Sequence, residues 1–148
     1  LINRYLNSKN PFEACGMILL DIDYFKAVND HYGHLFGDKI ILSLTDLLKK
    51  LFSDKNNVLV RAGGDEFVIF IANISNIELV RKNVQLMQNI RNISFEDNDC
   101  RFTCSAGVCY LPENISGYSY DQLFENADIA LYKAKERGRN CYVYCDSL

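Results

Sequence analysis

Two adjacent acidic residues beside a pair of glycines have residue types and a spacing that could support chemistry. Residues 61–67 read Arg-Ala-Gly-Gly-Asp-Glu-Phe and lie between the apolar runs 58–60 and 67–71. Short apolar strands on either side of a glycine-containing turn predict a β-hairpin. Such a turn needs glycine for its backbone angles, but it does not need Asp65 and Glu66 side by side. Adjacent carboxylates repel each other, which favours a bound cation; an ordinary polar turn is the alternative.

A second pair of acids, Asp21 and Asp23, follows the apolar run 14–20. This run is too short to span a membrane and predicts a buried strand, so Asp21 lies at the carboxyl end of a core strand, where ligands often bind. If this strand pairs antiparallel with 66–72, we expect Asp21 to face Asp65. Two carboxylates suit Mg²⁺ or Mn²⁺, completed by water and substrate phosphates. The alternative is that these acids, Asp23 above all, cap the next helix.

Hydrophobic periodicity predicts alternating strands and helices along the chain. We expect strands at 14–21, 58–62, 66–72, 101–110 and 141–145, a helical tail at 1–6, a short helix from about residue 24, and helices at 36–52 and 76–92. Ser75-x-x-Glu78 and Ser119-x-x-Gln122 are capping boxes that open the last two helices, and Gly138 closes the final one. This order predicts an α+β fold: a ferredoxin-like, palm-type, antiparallel-rich sheet wrapped by helices.

The bulk composition limits the function classes. A length of 148 residues predicts one domain, 1–148, and the net charge of −3 argues against a broad nucleic-acid footprint. An anionic substrate would then be met by local cations or a metal. The six cysteines form no Cys-x-x-Cys pair and only two histidines occur, which argues against a zinc site. We expect reduced, buried cysteines, a cytoplasmic domain and no direct membrane contact.

Four separated motifs together resemble the GGDEF-domain family, the diguanylate cyclases. They are segment 19–30, Gly33-His34-x-x-Gly37-Asp38, the 63–67 glycine-acid segment, and segment 127–140, Ala-Asp-x-Ala-Leu-Tyr-x-Ala-Lys-x-x-Gly-Arg-Asn, in the family's order and spacing. The resemblance covers essentially the whole chain. It implies a fold akin to polymerase palms and class III nucleotide cyclases. The family's usual Asp-x-Leu-Thr lead-in is absent before Asn3-Arg4, so we expect the chain to begin inside a domain of a longer signalling protein.

The resemblance also implies an activity. Two GTP molecules, each held by one domain of a homodimer, would condense to cyclic dimeric GMP and two pyrophosphates. Two Mg²⁺ or Mn²⁺ ions would serve each half-site, and an upstream sensor domain would control the reaction. The alternatives are a catalytically silent domain that binds GTP or a cyclic dinucleotide, and a nucleotidyl cyclase or polymerase with a monomeric product.

Family positions map onto the acids and polar residues of this chain. The resemblance makes Asp21, Asp65 and the backbone carbonyl of Ile22 metal ligands. Glu66 would deprotonate the attacking hydroxyl, bind metal or hold neighbouring groups. Asn29 and Asp38 match the guanine-reading positions. A carboxylate can accept from guanine N1–H and from the exocyclic amine beside it, a pair of donors that adenine cannot supply. The alternatives are a turn role for Asn29 and a first-turn helix acid at Asp38.

Phosphate contacts are expected from two places. The resemblance assigns Lys135 and Arg139, four residues apart at a helix end, to the triphosphate. Backbone N–H groups around Phe25 and Lys26, at a helix start, should cradle phosphate oxygens. His34 resembles a position near the base or ribose, with a structural histidine as the alternative.

An inhibitory product site is predicted to be missing. Many family members carry Arg-x-x-Asp ending five residues before the glycine pair, but here Asp54 and Asn57 hold those positions. An anionic product needs a guanidinium for bidentate contact, and Asp54 would repel it.

Overall fold

The computed structural model describes residues 2–8, 13–96, 98–113, 115 and 117–146. Along the chain the elements are α1 (Ile2–Ser8), β1 (Cys15–Ile22), α2 (Phe25–Tyr32), α3 (His34–Leu51), β2 (Val58–Arg61), β3 (Glu66–Ala72), α4 (Asn76–Arg91), β4 (Cys104–Leu111), α5 (Tyr120–Glu136) and β5 (Tyr142–Tyr144). The expected helical tail at 1–6 corresponds to α1, apart from residue 1, which lies outside the described residues.

The five strands form one sheet in the order β2-β3-β1-β4-β5. The pairs β2–β3, β3–β1 and β1–β4 are antiparallel, and β4–β5 is parallel. Strands β1 to β4 follow the strand–helix–strand–strand–helix–strand order of a ferredoxin-like palm, to which α5 and β5 are added. The predicted α+β fold with a mostly antiparallel sheet is confirmed.

The predicted element bounds differ from the structure by a few residues. Helix α3 begins at residue 34 rather than 36, because Gly33 takes a positive φ of 85° and serves as its N-cap. Strand β4 begins at residue 104 rather than 101. Both capping boxes form as predicted, and Gly138, at φ 100°, follows the end of α5.

Alternation along β1 sends its side chains to two separate cores. Ile18, Leu20 and Ile22 pack with buried residues of α3 and α4, whereas Met17 and Leu19 pack with residues of α1 and α5. Every residue of β1 is buried, as expected for the central strand. The acids at its carboxyl end are therefore held on a rigid element.

Helix α5 lies against β4 because one strand residue has no side chain. A Cβ on Gly107 would approach the carbonyl oxygen of Ala127 to 1.9 Å, so any larger residue would push α5 away. This close packing holds the carboxyl end of α5, which contains Lys135, beside the carboxyl end of β1, which contains Asp21. In the part of the chain that the structure describes, no helix has the length and apolar character needed to cross a membrane.

Candidate active site

The antiparallel pairing of β1 and β3 brings the end of one strand to the start of the other. The Ile22 N–H donates to the Asp65 carbonyl oxygen at 3.2 Å, and Asp21 has Glu66 as its Cα partner. The prediction that Asp21 faces Asp65 is therefore wrong by one residue, because β3 begins at Glu66 and Asp65 belongs to the preceding turn. We call Asp21, Asp65 and Glu66 the acidic edge.

Asp21 is the most electrostatically constrained group of the acidic edge. Only 7% of its surface is exposed, and its Oδ2 lies 3.0 Å from the Lys135 ammonium nitrogen. Burial raises the pKa of Asp21 above its ordinary value, Lys135 opposes that rise, and the charges of Asp65 and Glu66 add to it. The Asp21 carboxylate thus lies between an ammonium group that stabilises its charge and two acids that oppose it.

The carboxylate of Asp23, two residues after Asp21, is hydrogen-bonded to distant parts of the chain. It is 4% exposed and accepts hydrogen bonds from Thr103 Oγ1 and Ser105 Oγ, both at 2.6 Å, and from the Asn140 N–H at 3.0 Å. The N-cap of α2 is Tyr24, and no side chain accepts a cap hydrogen bond at this helix start, so the expectation that Asp23 caps this helix is wrong. Its carboxylate is already bound by donors from β4 and from the segment after α5.

The turn that contains Asp65 is stabilised by Arg61, a residue of the same hairpin. The Arg61 guanidinium donates to the carbonyl oxygens of Gly63 and Gly64, with Nη2 at 2.7 Å from the latter. Arg61 belongs to the glycine-acid motif at 61–67, but no local pattern indicates this role. Asp65 is half-buried and Glu66 is exposed, so both carboxylates remain accessible to a ligand.

Helices α2 and α3 place the predicted base-reading residues together. The Asn29 side-chain oxygen is buried and has no hydrogen-bond partner within the described part of the chain. A Cβ on Gly37 would lie 1.9 Å from that oxygen, so glycine makes room for the amide. Asp38 follows Gly37 and is exposed. The buried Asn29 oxygen on α2 and the exposed Asp38 carboxylate on α3 are both acceptors suited to N–H donors.

Both alternatives for these residues are wrong. Asn29 lies within α2 rather than in a turn, and Asp38 is in the second turn of α3, whose first turn contains no acid. Asp38 lies in the second turn because α3 begins early, at His34. His34 itself is exposed at that helix start.

The start of α2 and the end of α5 meet at Tyr24 and Arg139. The Arg139 guanidinium lies over the Tyr24 ring, 4.6 Å from its centroid, and Nη1 is 3.4 Å from the Tyr24 hydroxyl. The first-turn N–H groups of α2, which include those of Phe25 and Lys26, have no acceptor inside a helix. Lys135, Arg139 and these N–H groups thus make a locally positive region next to the acidic edge.

A long-range clamp fixes the segment that carries Arg139. Gly138, Arg139 and Asn140 all have positive φ angles, of 100°, 65° and 50°. Arg91, at the end of α4, donates from Nε to the Asn140 side-chain oxygen and from Nη2 to its carbonyl oxygen, both at 2.8 Å. The role of Arg91 was not predicted, because no local signal links two residues that lie 49 positions apart in the chain.

Comparison with known proteins identifies the family. The family model for "Diguanylate cyclase, GGDEF domain" matches residues 2–141. The chain belongs to the GGDEF family. Diguanylate cyclase DgcS of Shewanella oneidensis is 34% identical over 142 residues, which cover 96% of this chain and 46% of that protein. Cyclic di-GMP phosphodiesterase PdeR of Escherichia coli is 35% identical over 126 residues, covering 84% and 18%.

Solved GGDEF domains share the fold. The active GGEEF domain of a diguanylate cyclase from Vibrio cholerae is 31% identical, with a TM-score of 0.80, and the match covers 91% of this chain and 85% of that one. The chain spans less than half the length of the curated relatives described above. The GGDEF domain is therefore the part on which the following proposals rest.

The donor set of this GGDEF domain fits a metal shared with a substrate. Asp21, Asp65 and the Ile22 carbonyl are all oxygen donors, as Mg²⁺ and Mn²⁺ prefer. Within the described residues, no three His, Cys, Asp or Glu side chains cluster as a metal cage. Mg²⁺ is usually held by one or two carboxylates together with substrate phosphates rather than by such a cage, so the fit holds.

The segment 54–57 of this GGDEF domain is a hydrogen-bonded turn. Asp54 Oδ1 accepts from the Asn56 N–H at 2.8 Å, and the Asn57 side-chain oxygen accepts from the Ala72 N–H at 3.3 Å. Asp54 and Asn57 also border a cavity of about 410 Å³ between α3, β3 and α4. Both polar side chains thus have structural partners, and the expected lack of product inhibition stays a prediction.

Proposed function

We propose that this GGDEF domain is a diguanylate cyclase, which condenses two GTP molecules into cyclic dimeric GMP and two pyrophosphates. The observation that carries the proposal is the junction of the acidic edge with the positive region formed by Lys135, Arg139 and the start of α2. Phosphoryl transfer needs positive charge around the transferring group and a positioned nucleophile. The protein need not form a covalent bond to the substrate.

The acidic edge would hold the metal. Asp21, Asp65 and the Ile22 carbonyl are the proposed ligands, and bound Mg²⁺ or Mn²⁺ would neutralise charge on the attacking and leaving oxygens. In the structure Lys135 satisfies Asp21, which is a buried carboxylate with a raised pKa. With Asp21 bound to a metal, the Lys135 ammonium would be available to bind the triphosphate together with Arg139.

Base selection follows from the acceptors between α2 and α3. Guanine offers N1–H and an exocyclic amine to the buried Asn29 oxygen and to Asp38, whereas adenine offers neither donor there. A site built to bond N–H groups rejects an analogue without them, since its acceptors stay unpaired. We therefore expect GTP to be preferred over ATP, with His34 near the base or ribose.

The reaction requires two copies of the domain. The described residues of one domain form one acidic edge and one set of base acceptors, so each domain would hold one of the two reacting nucleotides. The 3′-hydroxyl of each GTP attacks the α-phosphate of the other across a two-fold axis. Glu66 is exposed at the acidic edge, where it can accept the hydroxyl proton or hold its neighbours.

A silent regulatory domain is the second candidate. It is favoured by one observation: the chain is similar to part of a relative that is named for phosphodiesterase activity. Such a domain would bind GTP or a cyclic dinucleotide and would form no product. The acids and bases of the acidic edge and positive region are all present in this chain, which favours the catalytic proposal.

Product analysis separates these functions. The domain is fused to a parallel two-stranded coiled coil, incubated with GTP or ATP and Mg²⁺, and its products are resolved by chromatography. The proposal expects cyclic dimeric GMP from GTP, with two pyrophosphates per product and little product from ATP. Nucleotide binding without product would indicate a silent domain, and a monomeric cyclic or linear product would indicate a different nucleotidyl transferase.

A further inference from the structure

Two cysteines lie next to each other across the parallel strands β4 and β5. Val108 and Tyr144 are Cα partners in this ladder, and the Cys145 N–H donates to the Val108 carbonyl oxygen at 2.8 Å. Cys109 directly follows Val108, and Cys145 directly follows Tyr144. Both pack in the same apolar cluster between the sheet and helices α1 and α5, so their side chains share one face of the sheet.

This arrangement satisfies the reach of a disulfide bond. Neighbouring strands lie about 4.7–4.9 Å apart, and a disulfide joins residues whose Cα atoms are about 4.4–6.8 Å apart. The other cysteine on the same face, Cys15, is the Cα partner of Leu111, two residues beyond Cys109. A diagonal neighbour of that kind is about 7–8 Å away, which is a poorer distance for a bond.

The two thiols differ in exposure and in charge. Cys109 is fully buried, whereas Cys145 is half-buried at the end of the sheet. The neighbouring Cys109 thiol lowers the pKa of Cys145 to about 7, against the opposing effect of burial. The same contact, together with burial, raises the pKa of Cys109. Since the thiolate is the reactive form, the accessible member of the pair is the better nucleophile.

We propose that Cys145 and Cys109 are a peroxide-oxidisable thiol pair, in which Cys145 reacts first and Cys109 resolves the product as a disulfide. The Cys145 thiolate attacks one oxygen of hydrogen peroxide, the O–O bond breaks, and hydroxide leaves to take up a proton as water. The Cys109 sulfur then displaces hydroxide from the Cys145 sulfenic acid, and the Cys109 proton leaves with it as a second water. Two thiols lose two hydrogens and the peroxide is reduced.

The disulfide would link the end of β5 covalently to β4, shortly after the segment that contains Arg139. β5 begins two residues after Asn140, the residue that Arg91 and Asp23 hold. Oxidation would therefore fix the strand that follows the Arg139 segment. This inference concerns thiol chemistry alone and does not rest on the proposed cyclase activity.

Peptide mapping tests the proposal directly. The reduced protein is titrated with hydrogen peroxide, remaining thiols are alkylated, and tryptic peptides are sequenced by fragmentation. Because no Lys or Arg separates Cys141 from Cys145, the experiment is run in the wild type and in Cys141→Ser. We expect one disulfide, Cys109 to Cys145, in both. Full alkylation of these two cysteines after peroxide, or a disulfide that joins other cysteines, would overturn the proposal.

Single variants assign the order of reaction. Cys109→Ala should stop at a Cys145 sulfenic acid that dimedone traps, whereas Cys145→Ser should leave Cys109 unoxidised. Sulfenic acid at Cys109 in Cys145→Ser, or none at Cys145 in Cys109→Ala, contradicts the assigned roles. If the buried substitution at Cys109 prevents folding, the wild-type map and Cys145→Ser decide the question without it.

Discussion

Two turns flank the proposed active site, and they are held in opposite ways. The glycine turn, residues 62–65, is fastened by Arg61, which lies three residues from Gly64 in the same hairpin. The clamped turn, residues 138–140, is held by Arg91 and Asp23, which are 49 and 117 residues away from Asn140. A local motif is thus enough to present the acids, whereas placing Arg139 requires bonds from two distant segments of the chain.

The two turns also differ in strain. Arg139 and Asn140 are non-glycine residues with φ angles of 65° and 50°, a conformation that costs of order 1 kcal/mol or more for each residue. The bonds from Arg91 and Asp23 offset this cost. The glycine turn contains no positive φ angle among its described residues, so the expectation that it needs glycine for its backbone angles is not supported by a positive φ angle. We infer that the glycine turn contributes to the proposed reaction but little to stability. The clamped turn contributes to both.

The largest effect is expected at the glycine turn. Asp65→Ala removes a proposed metal ligand from a half-buried turn position without loss of core volume, so several kcal/mol of transition-state stabilisation should disappear. That corresponds to a loss of about 10³-fold or more in kcat. The free energy of unfolding should stay within about 0.5 kcal/mol of the wild type. Turnover of the forced dimer and urea denaturation measure the two quantities.

The matched control for this change is Asp54→Ala, which removes another turn carboxylate outside the acidic edge. It should leave kcat unchanged. Near-normal turnover by Asp65→Ala would remove Asp65 from the metal site and end the contrast between the turns.

The next effect concerns stability at the clamped turn. Asp23→Ala leaves the Thr103 and Ser105 hydroxyls and the Asn140 N–H without their acceptor; the bond from Ser105 is buried, and the other two are partly buried. We expect a loss of about 3 kcal/mol in the free energy of unfolding, measured by urea denaturation. Asp23→Asn keeps one acceptor oxygen and should lose less. An unchanged unfolding free energy for Asp23→Ala would show that the clamp does not stabilise the fold.

A smaller effect is expected from Arg91, which touches the turn but not the acidic edge. Arg91→Ala frees the Asn140 side chain and carbonyl, so Arg139 should lose its fixed position against the triphosphate. We expect KM for GTP to rise about tenfold, equivalent to 1.4 kcal/mol, with a smaller change in kcat.

Arg81→Ala, an exposed arginine on the same helix, is the control and should behave as wild type. If Arg91→Ala lowers kcat and leaves KM unchanged, its contribution lies elsewhere than in positioning Arg139. If neither parameter changes, the clamped turn holds its shape without Arg91.

The smallest effect is expected from Arg61, because its acceptors are exposed carbonyl groups. Arg61→Ala should lower the free energy of unfolding by about 0.5 kcal/mol, and turnover should fall only a few-fold. Arg61→Lys tests whether one charged donor is enough for the turn. A loss of turnover as large as that of Asp65→Ala would mean that the glycine turn also depends on a clamp.

The sequence was informative where the signal is local. The hairpin around Gly63 and Gly64, both capping boxes and the mostly antiparallel sheet followed from patterns within a few residues. The register of Asp21 was missed by one residue, since pairing depends on where β3 begins. The roles of Asp23 and Arg91 were missed because their partners lie on distant elements, and hydrogen bonds between such residues leave no periodic pattern.

The most direct test of the acidic edge is the affinity for a non-hydrolysable GTP analogue, measured by calorimetry with Mg²⁺ and with the metal chelated. If Asp21 and Asp65 hold a metal against a triphosphate, chelation should weaken binding to the wild type. Asp65→Ala should bind weakly in both conditions. A wild-type affinity that is indifferent to Mg²⁺, or an Asp65→Ala variant that keeps the full Mg²⁺ dependence, would contradict the account.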